Sequence, residues 1–350
     1  MPAIKIRDLV MKFERFTAVD QVSLEVEEGE FVTLLGPSGC GKTTLLNLIS
    51  GFLQPTAGNI EIGGKTVVGV PPEARATAMC FQSYALFPHL SVRENILFGL
   101  RQKKTAPAVR DARLDEVVAQ VDLGDHLTKL PNQLSGGQQQ RVALGRALAV
   151  RPFVILFDEP LSNLDAKLRE QVRVEIRKIQ RNFGLTAIYV THDQSEALAM
   201  SDRIFIMNKG RIEQSGRPEE IYNAPRTRFV ADFVGSANIL DGDVEGEVAP
   251  NVWRVATPLG TLDVQSETGP SAKRVPVSWR PETAAFADEG PNLLAGKVVH
   301  RAFQGHFTDL IVEVQGAQQR LQTLRSTHEE GDTVTFSIAA QDLTFLEPDA

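Results

Sequence analysis

The sequence has few cysteines and no apolar run long enough to cross a membrane. Only Cys40 and Cys80 are cysteines among its 350 residues, which argues against a disulfide framework and predicts two reduced thiols. No stretch approaches the roughly 20 apolar residues of a membrane helix. No Cys/His cluster has zinc-site spacing, and no charged-then-apolar leader opens the chain. These absences predict a cytoplasmic protein without structural zinc.

The chain also lacks an excess of positive charge. Its net charge is −7, and the acidity is concentrated near the end. Residues 236–350 carry 8 Lys and Arg against 17 Asp and Glu, whereas residues 1–235 carry 29 against 27. A segment of net charge −9 argues against nucleic-acid binding through a basic face. The length and the change in charge predict two domains, residues 1–235 and 236–350.

The stretch GPSGCGKTT matches the complete phosphate-loop pattern between a strand-like run, FVTLL, and an apolar helical stretch. Its glycines let backbone N–H groups converge on phosphates, and the following helix presents the positive end of its dipole. Lys42 is predicted to bind the β- and γ-phosphates, and the Thr43 hydroxyl to face Mg²⁺. The predicted nucleotide-binding residues of this loop are Gly36, Pro37, Ser38, Gly39, Cys40, Gly41, Lys42, Thr43 and Thr44.

A second helix also begins with a glycine-rich sequence. Ser135, Gly136, Gly137 and Gln138 open an apolar helical stretch and resemble an anion-binding helix start that lacks a lysine of its own. One full phosphate loop and one partial anion cradle together predict a site that another molecule completes.

Two carboxylates follow a buried-type strand. Phe153 to Phe157 form a continuous apolar run that ends in Asp158 and Glu159, and ligands of open α/β sheets bind at such strand ends. Asp158 is predicted to hold Mg²⁺ through water, and Glu159 to orient and deprotonate a water that attacks the γ-phosphate. The alternative is an acidic strand end that caps a helix.

Four further features are ambiguous on their own. Phe13 either stacks on adenine or packs in the core, and Gln82, at the end of a short strand, either reaches a metal or is an ordinary surface residue. His192, at the end of the strand TAIYVT, either contacts the γ-phosphate or is structural. The apolar loop of Tyr84, Ala85, Leu86, Phe87 and Pro88 either forms a partner surface or folds back on the core.

From about Asn238 the pattern becomes all-β, with short alternating runs separated by turn residues every 8–12 positions. This spacing predicts a small barrel or sandwich.

The ordered set of motifs resembles the ATP-binding cassette (ABC) ATPases over residues 3–235. Its elements are the phosphate loop, the glutamine loop at Gln82, the signature LSGGQ, the Walker B run VILFDE, the aspartate loop SNLD and the histidine switch His192. YALFPHLSVRENILFGLR, PLSNLDAKLRE and the C-terminal VSWRPE are similar to importer ATPases of the maltose/polyamine/iron type. The resemblance implies an α/β P-loop NTPase with a RecA-like core, a β subdomain and a helical subdomain. A regulatory oligonucleotide-binding-like (TOBE) barrel is expected to follow it.

The resemblance also implies residue roles. Lys42, Glu159 and His192 would be catalytic, and Phe13 would stack on adenine. Mg²⁺, the expected cofactor, would be held by Thr43, Gln82 and Asp158. Residues contributed across a head-to-tail homodimer would be Ser135, Gly136, Gly137 and Gln138, with Asp165 linking the two sites. Tyr84 to Pro88 would grip a membrane permease.

The implied partners are a second copy, two transmembrane permease subunits and, through the complex, an external solute-binding protein. Nucleic acid is not among them. The expected location is the cytoplasmic face of the membrane, as a peripheral protein. FVADFVGSANIL looks polyamine-like, so spermidine or putrescine is the predicted cargo; ferric iron, an aminophosphonate and a sugar are the alternatives.

Three other readings compete with the importer motor. A soluble ABC ATPase acting on DNA or ribosomes usually has tandem cassettes or inserted coiled coils, which this sequence lacks. A nucleotide kinase would share the phosphate loop but has no use for LSGGQ. In the third reading, the C-terminal barrel is chiefly a binding module for a regulator or small ligand.

Overall fold

The computed structural model describes residues 2–348, and backbone contacts divide them into two compact units that meet between Pro218 and Glu219. The predicted boundary between 235 and 236 lies within the second unit. The intervening residues form two short helices, α7 (Pro218–Asn223) and α8 (Arg228–Phe233). Their carbonyls accept hydrogen bonds from Arg280 of the β-rich region, which explains why they group with it.

From residue 2 onward, the first unit contains ten strands and six α-helices. They are β1 (Pro2–Phe13), β2 (Phe16–Glu27), β3 (Phe31–Leu35), α1 (Lys42–Ser50), β4 (Ala57–Ile62), β5 (Lys65–Thr66), β6 (Thr77–Cys80), α2 (Val92–Gln102), α3 (Pro107–Gln120), α4 (Gly136–Ala149), β7 (Val154–Asp158), α5 (Ala166–Phe183), β8 (Thr186–Thr191), α6 (Gln194–Met200), β9 (Arg203–Asn208) and β10 (Arg211–Gly216).

The central sheet of this unit has the order β10-β9-β3-β8-β7-β6, and all its pairs are parallel except β9 with β10. The four inner strands β9, β3, β8 and β7 are buried on both faces, as their continuous apolar sequences predict. Phe31 and Phe157 face one core with helices α2 to α5, whereas Val32 and Leu156 face a second core with α1 and strands β1, β2 and β4. Alternation along each strand therefore serves two cores at once.

A separate antiparallel sheet has the order β2-β1-β4-β5. Helices α2, α3 and α4 pack together on the other side of the parallel sheet. Helix α2 begins with a capping box, in which Ser91 Oγ accepts from the Glu94 amide at 3.3 Å and Glu94 Oε2 accepts from the Ser91 amide at 2.9 Å. The three predicted parts of the first unit are thus present: a parallel core, a β subdomain and a helical subdomain.

The second unit is built on two five-stranded antiparallel sheets, with orders β13-β12-β11-β14-β20 and β15-β19-β16-β17-β18. Side chains from both sheets, among them Trp279 and Phe336, share an apolar core. The all-β sequence pattern predicts such an arrangement. The strands are β11 (Asn238–Ala249), β12 (Val252–Thr257), β13 (Gly260–Gln265), β14 (Arg274–Trp279), β15 (Ala285–Phe286), β16 (Leu293–Phe303), β17 (Thr308–Val314), β18 (Ala317–Thr323), β19 (Thr333–Ser337) and β20 (Leu343–Phe345).

Among residues 2–348, no helix combines the length and apolar character needed to span a bilayer.

Candidate nucleotide-binding and hydrolysis site

The order of the parallel strands places the predicted site residues along one edge. The carboxyl ends of β3, β8, β7 and β6, which are successive neighbours in the sheet, lead respectively to the phosphate loop, His192, the Asp158–Glu159 pair and Gln82. Ligands bind at this edge in open α/β sheets. Motifs separated by more than 100 residues in sequence are therefore neighbours in space.

The phosphate loop wraps around the Lys42 side chain. Lys42 is only 5% exposed, and its ammonium donates to the carbonyl oxygens of Gly36 at 2.7 Å and Pro37 at 2.9 Å. Gly41 has φ 105°, and a Cβ there would collide with the Ala18 carbonyl. No side chain caps the start of α1 at this position, so its first amides are available to an anion.

The Thr43 hydroxyl and the Asp158 carboxylate lie together, with Thr43 Oγ1 donating to Asp158 Oδ1 at 3.3 Å. Burial raises the pKa of Asp158, an effect that the Thr43 hydrogen bond and the charge of Lys42 oppose. Hard oxygen donors suit Mg²⁺, which is commonly held by one or two protein groups together with substrate phosphates. No group of three or more His, Cys, Asp or Glu side chains within residues 2–348 forms a self-sufficient metal site. These donors fit a Mg²⁺ ion that is bound partly by a nucleotide.

Glu159 and His192 form the second close pair, with Glu159 Oε2 3.0 Å from His192 Nδ1. The Glu159 amide donates to the Val190 carbonyl at 3.0 Å, and its φ of 43° turns the chain sharply after β7. A left-handed backbone at a non-glycine residue is uncommon. The turn directs the carboxylate toward the solvent-exposed imidazole of the neighbouring strand end.

Gln82 is exposed at the same edge. Its backbone carbonyl accepts a hydrogen bond from Asn163 Nδ2 at 2.9 Å, and the Ser162 hydroxyl donates to the Glu159 carbonyl at 2.9 Å. The aspartate loop is thus tied to two other loops of the site. The metal contact expected of the Gln82 side chain stays a prediction.

The hydrogen bonds of the signature residues are local. Ser135 and Gln138 form a capping box at the start of α4, and Gln138 also lies 3.0 Å from His126 Nε2. An added Cβ on Gly137 would lie 3.0 Å from Leu168, so this glycine permits close packing of α4 on α5. Contacts of this segment with a second molecule stay a prediction.

Asp165 and Phe13 complete the predicted nucleotide residues. Asp165 Oδ1 accepts from the Leu168 amide at 2.9 Å and caps α5; its role across a dimer stays a prediction. Phe13 lies at the β1–β2 turn opposite Phe16, and the two are 44% and 61% exposed. This exposure disfavours the interpretation of Phe13 as a core residue.

Part of the loop of Tyr84 to Pro88 folds back on the core and part of it is exposed, so that features of both alternatives considered from the sequence are present. Tyr84 is buried and Leu86 packs against the core, whereas Ala85 and Pro88 are exposed. Phe87 packs against Phe98, with ring centroids 4.2 Å apart and ring planes tilted by 36°. The loop borders a largely apolar cleft of about 460 Å³.

Two residues that anchor this loop were missed by the sequence analysis. Arg146 of α4 donates to the carbonyls of Tyr84 at 2.9 Å and Ala85 at 2.6 Å, both of which have positive φ. Fully buried Asn95 of α2 bonds the backbone N–H and C=O of Phe87 at 2.9 and 3.1 Å. The signal that could have identified Asn95 was its polar side chain at a core position, between the apolar residues Val92 and Ile96.

Fold and site together define a P-loop nucleotide hydrolase. A model of the ABC transporter family matches residues 19–162, and a TOBE domain model matches residues 277–346. Full-length relatives agree: the "Spermidine/putrescine import ATP-binding protein PotA" of Pseudomonas aeruginosa (strain UCBPP-PA14) is 46% identical over 343 residues, 96% of this chain and 94% of that protein. The chain therefore belongs to the ATP-binding proteins of the ABC transporter family, and it is an ATP hydrolase.

Other relatives differ in their stated cargo. A PotA protein of Thermobifida fusca is 57% identical over 65% of this chain and 60% of its own length. The "Fe(3+) ions import ATP-binding protein FbpC" of Agrobacterium fabrum is 45% identical over 87% of this chain and 85% of its own length.

Among solved structures, cbiO1 from Clostridium perfringens, part of the ABC transporter complex cbiONQ, superposes with a TM-score of 0.59 at 27% identity. The match covers 63% of this chain and 90% of that one. The predicted cassette followed by an oligonucleotide-binding-like β domain is confirmed.

Proposed function

We propose that this chain is the ATP-hydrolysing motor subunit of a membrane import complex whose cargo is a polyamine, spermidine or putrescine. The observation that carries the proposal is the convergence of Lys42, the Thr43–Asp158 pair and the Glu159–His192 pair at one sheet edge. Full-length relatives named as spermidine/putrescine import proteins support the cargo.

Nucleotide binding begins at the phosphate loop. Lys42 exchanges the carbonyls of Gly36 and Pro37 for phosphate oxygens, and the first amides of α1 bind the same phosphates. The exposed Phe13 ring stacks on adenine. Thr43, Asp158 and Gln82 would hold Mg²⁺, which would supply charge neutralisation at the phosphates.

Hydrolysis depends on the second pair. Glu159 accepts a proton from the attacking water, and His192, 3.0 Å away, orients this carboxylate and contacts the γ-phosphate. Two copies pair head to tail, so that Ser135, Gly136, Gly137 and Gln138 of each copy approach the γ-phosphate bound by the other. Asp165 connects the two sites. Loss of the γ-phosphate removes contacts that only the closed dimer makes, and the dimer opens.

The motion is transmitted through the loop of Tyr84 to Pro88. The adjoining cleft, lined in part by Phe52, Phe81 and Phe98, receives a segment of the permease. Arg146 holds this loop to the signature helix, so movement of α4 moves the permease contact.

The complex contains two permease subunits and works with an external solute-binding protein. The motor lies at the cytoplasmic face as a peripheral subunit, and the β domain of residues 236–350 regulates it.

Uptake by cells lacking this chain tests the proposal. Deletion is expected to abolish uptake of labelled spermidine and putrescine while leaving ferric iron, aminophosphonate and sugar uptake intact. Complementation with the wild-type chain should restore uptake, and Glu159→Gln should not.

Loss of ferric iron uptake alone would favour the iron alternative, which the FbpC relative supports. Unchanged uptake of every solute, combined with a growth or translation defect, would favour a soluble ABC ATPase and would overturn the transport proposal.

A further inference from the structure

Arg169 occupies a junction between two loops of the hydrolytic site. It lies in the first turn of α5, where its amide donates to the Asp165 carbonyl at 2.8 Å. Its Nη2 donates to the Leu164 carbonyl in the aspartate loop at 3.2 Å, and its Nη1 donates to Asp193 Oδ2 at 3.3 Å. One guanidinium therefore joins the aspartate loop to the residue that follows His192.

The turn that carries His192 is fixed on both sides. Asp193 caps α6, with Oδ1 accepting from the Ser195 amide at 2.8 Å, while its second oxygen faces Arg169. Before His192, the Thr191 hydroxyl donates to Glu196 at 2.8 Å. His192 therefore lies between an anchored strand end and a residue, Asp193, that Arg169 contacts.

Glu196 gives Arg169 a second link to the same turn. It is only 3% exposed and accepts from both Tyr189 and Thr191 at 2.8 Å. The positive charge nearest to it is Arg169 Nε, 3.9 Å from Glu196 Oε1, and this nitrogen is buried without a hydrogen-bond partner. A buried carboxylate needs a compensating charge, and a short shift of Arg169 would convert this contact into a hydrogen bond.

We propose that Arg169 is a positioning residue that transmits displacement of the aspartate loop, through Asp193, to His192 and hence to the Glu159–His192 pair. This role rests on the proposed function of that pair in hydrolysis. When a second copy engages the loop at Asp165, the Leu164 carbonyl moves together with the guanidinium it holds. Among residues 2–348, the side-chain hydrogen bonds and ion pairs of Arg169 lead to Leu164, Asp193 and Glu196 and not to the phosphate loop, so we expect nucleotide binding to be independent of this connection.

The test compares Arg169→Ala and Arg169→Lys in the full-length protein. Arg169→Ala should lower kcat for ATP at least tenfold, about 1.4 kcal/mol in the activation barrier, while KM and the affinity for a fluorescent ATP analogue change less than about twofold. Arg169→Lys keeps the charge beside Glu196 but cannot bridge two acceptors in the same planar geometry, so its kcat should be intermediate. The control is Lys178→Ala, an exposed cation on the same helix, which should leave kcat unchanged.

A double-mutant cycle with His192→Ala separates positioning from general damage. If Arg169 acts through His192, Arg169→Ala should lower kcat less than about threefold in the His192→Ala background. Equal losses in both backgrounds, or a fall in nucleotide affinity that parallels kcat, would overturn the inference. If Arg169→Ala does not fold, as judged by its thermal unfolding, Arg169→Lys provides the same cycle. Wild-type kcat in His192→Ala alone would count against both this inference and the proposed role of the pair, whereas inactivity of the wild-type protein would count against the proposed function.

Discussion

Glu159→Gln tests the proposed hydrolytic chemistry with the smallest structural change. Glutamine has nearly the size of glutamate and keeps one oxygen within reach of His192, which lies 3.0 Å from the carboxylate. The backbone turn at φ 43° is unaffected in principle, since both residues are unbranched at Cβ. What the substitution removes is the ability to accept a proton at neutral pH.

The expected loss follows from that role. A positioned general base contributes about 10²- to 10⁴-fold, which corresponds to roughly 2.7–5.5 kcal/mol in the activation barrier. The contacts of Lys42 with the phosphate loop do not involve Glu159, so ATP affinity should change less than about twofold. The variant should therefore bind ATP, remain dimeric with it and turn over slowly.

The assay is single-turnover hydrolysis of labelled ATP, together with size-exclusion chromatography in the presence of ATP. Glu170→Gln is the matched control because it makes the same chemical change at an exposed carboxylate whose ion-pair partner, Arg173, is 3.8 Å away. The control should hydrolyse ATP at the wild-type rate. Hydrolysis by Glu159→Gln within tenfold of wild type would refute the general-base assignment.

Three further predictions concern other parts of the chain. Lys42→Ala should weaken ATP binding about 100-fold or more, because the charge-assisted hydrogen bonds from the ammonium to the phosphates, worth ~1.5–3 kcal/mol each, are lost; isothermal titration calorimetry measures this. Arg280→Ala should destabilise the second unit by about 3 kcal/mol or more in denaturant unfolding, since this buried guanidinium serves three backbone carbonyls. The control is Arg254→Ala, which removes an exposed ion pair and should lower the free energy of unfolding by less than about 1 kcal/mol. Burial raises the pKa of Cys80 to about 12, so its thiol should stay neutral and resist iodoacetamide at pH 8.5, reacting only in urea.

Each of these has a result that would contradict it. Unchanged ATP affinity in Lys42→Ala would remove the lysine from phosphate binding. Equal destabilisation by Arg280→Ala and Arg254→Ala would show that the buried hydrogen bonds add nothing beyond an exposed ion pair. Rapid labelling of native Cys80, located by peptide mapping, would mean that the thiol is accessible and ionised.

The site was most predictable from the sequence where one motif requires both a particular backbone conformation and a particular side chain. Gly41 needs a positive φ beneath the Ala18 carbonyl, and Lys42 follows it at the helix start. Asp158 and Glu159 end a strand that is apolar throughout. Because the strands are parallel, their carboxyl ends share one edge, and residues of distant motifs are neighbours there.

Contacts made by long side chains to backbone carbonyls were not predictable in the same way. Arg146 lies within a helix whose sequence does not indicate that Tyr84 and Ala85, 62 and 61 residues earlier, supply its acceptors. Arg280 likewise bonds to carbonyls of α7 and α8, which belong to the second unit, although the sequence changes to an all-β pattern only near residue 235. Such contacts depend on tertiary packing and leave no periodic pattern in the sequence.

Whether this ATPase drives a membrane importer can be decided by capturing the tagged chain from gently solubilised native membranes and identifying its partners by mass spectrometry. We expect multi-spanning permease chains, either two different ones or a homodimer, recovered in amounts comparable to the ATPase. Recovery of ribosomal or DNA-repair proteins, with no membrane protein, would contradict this expectation.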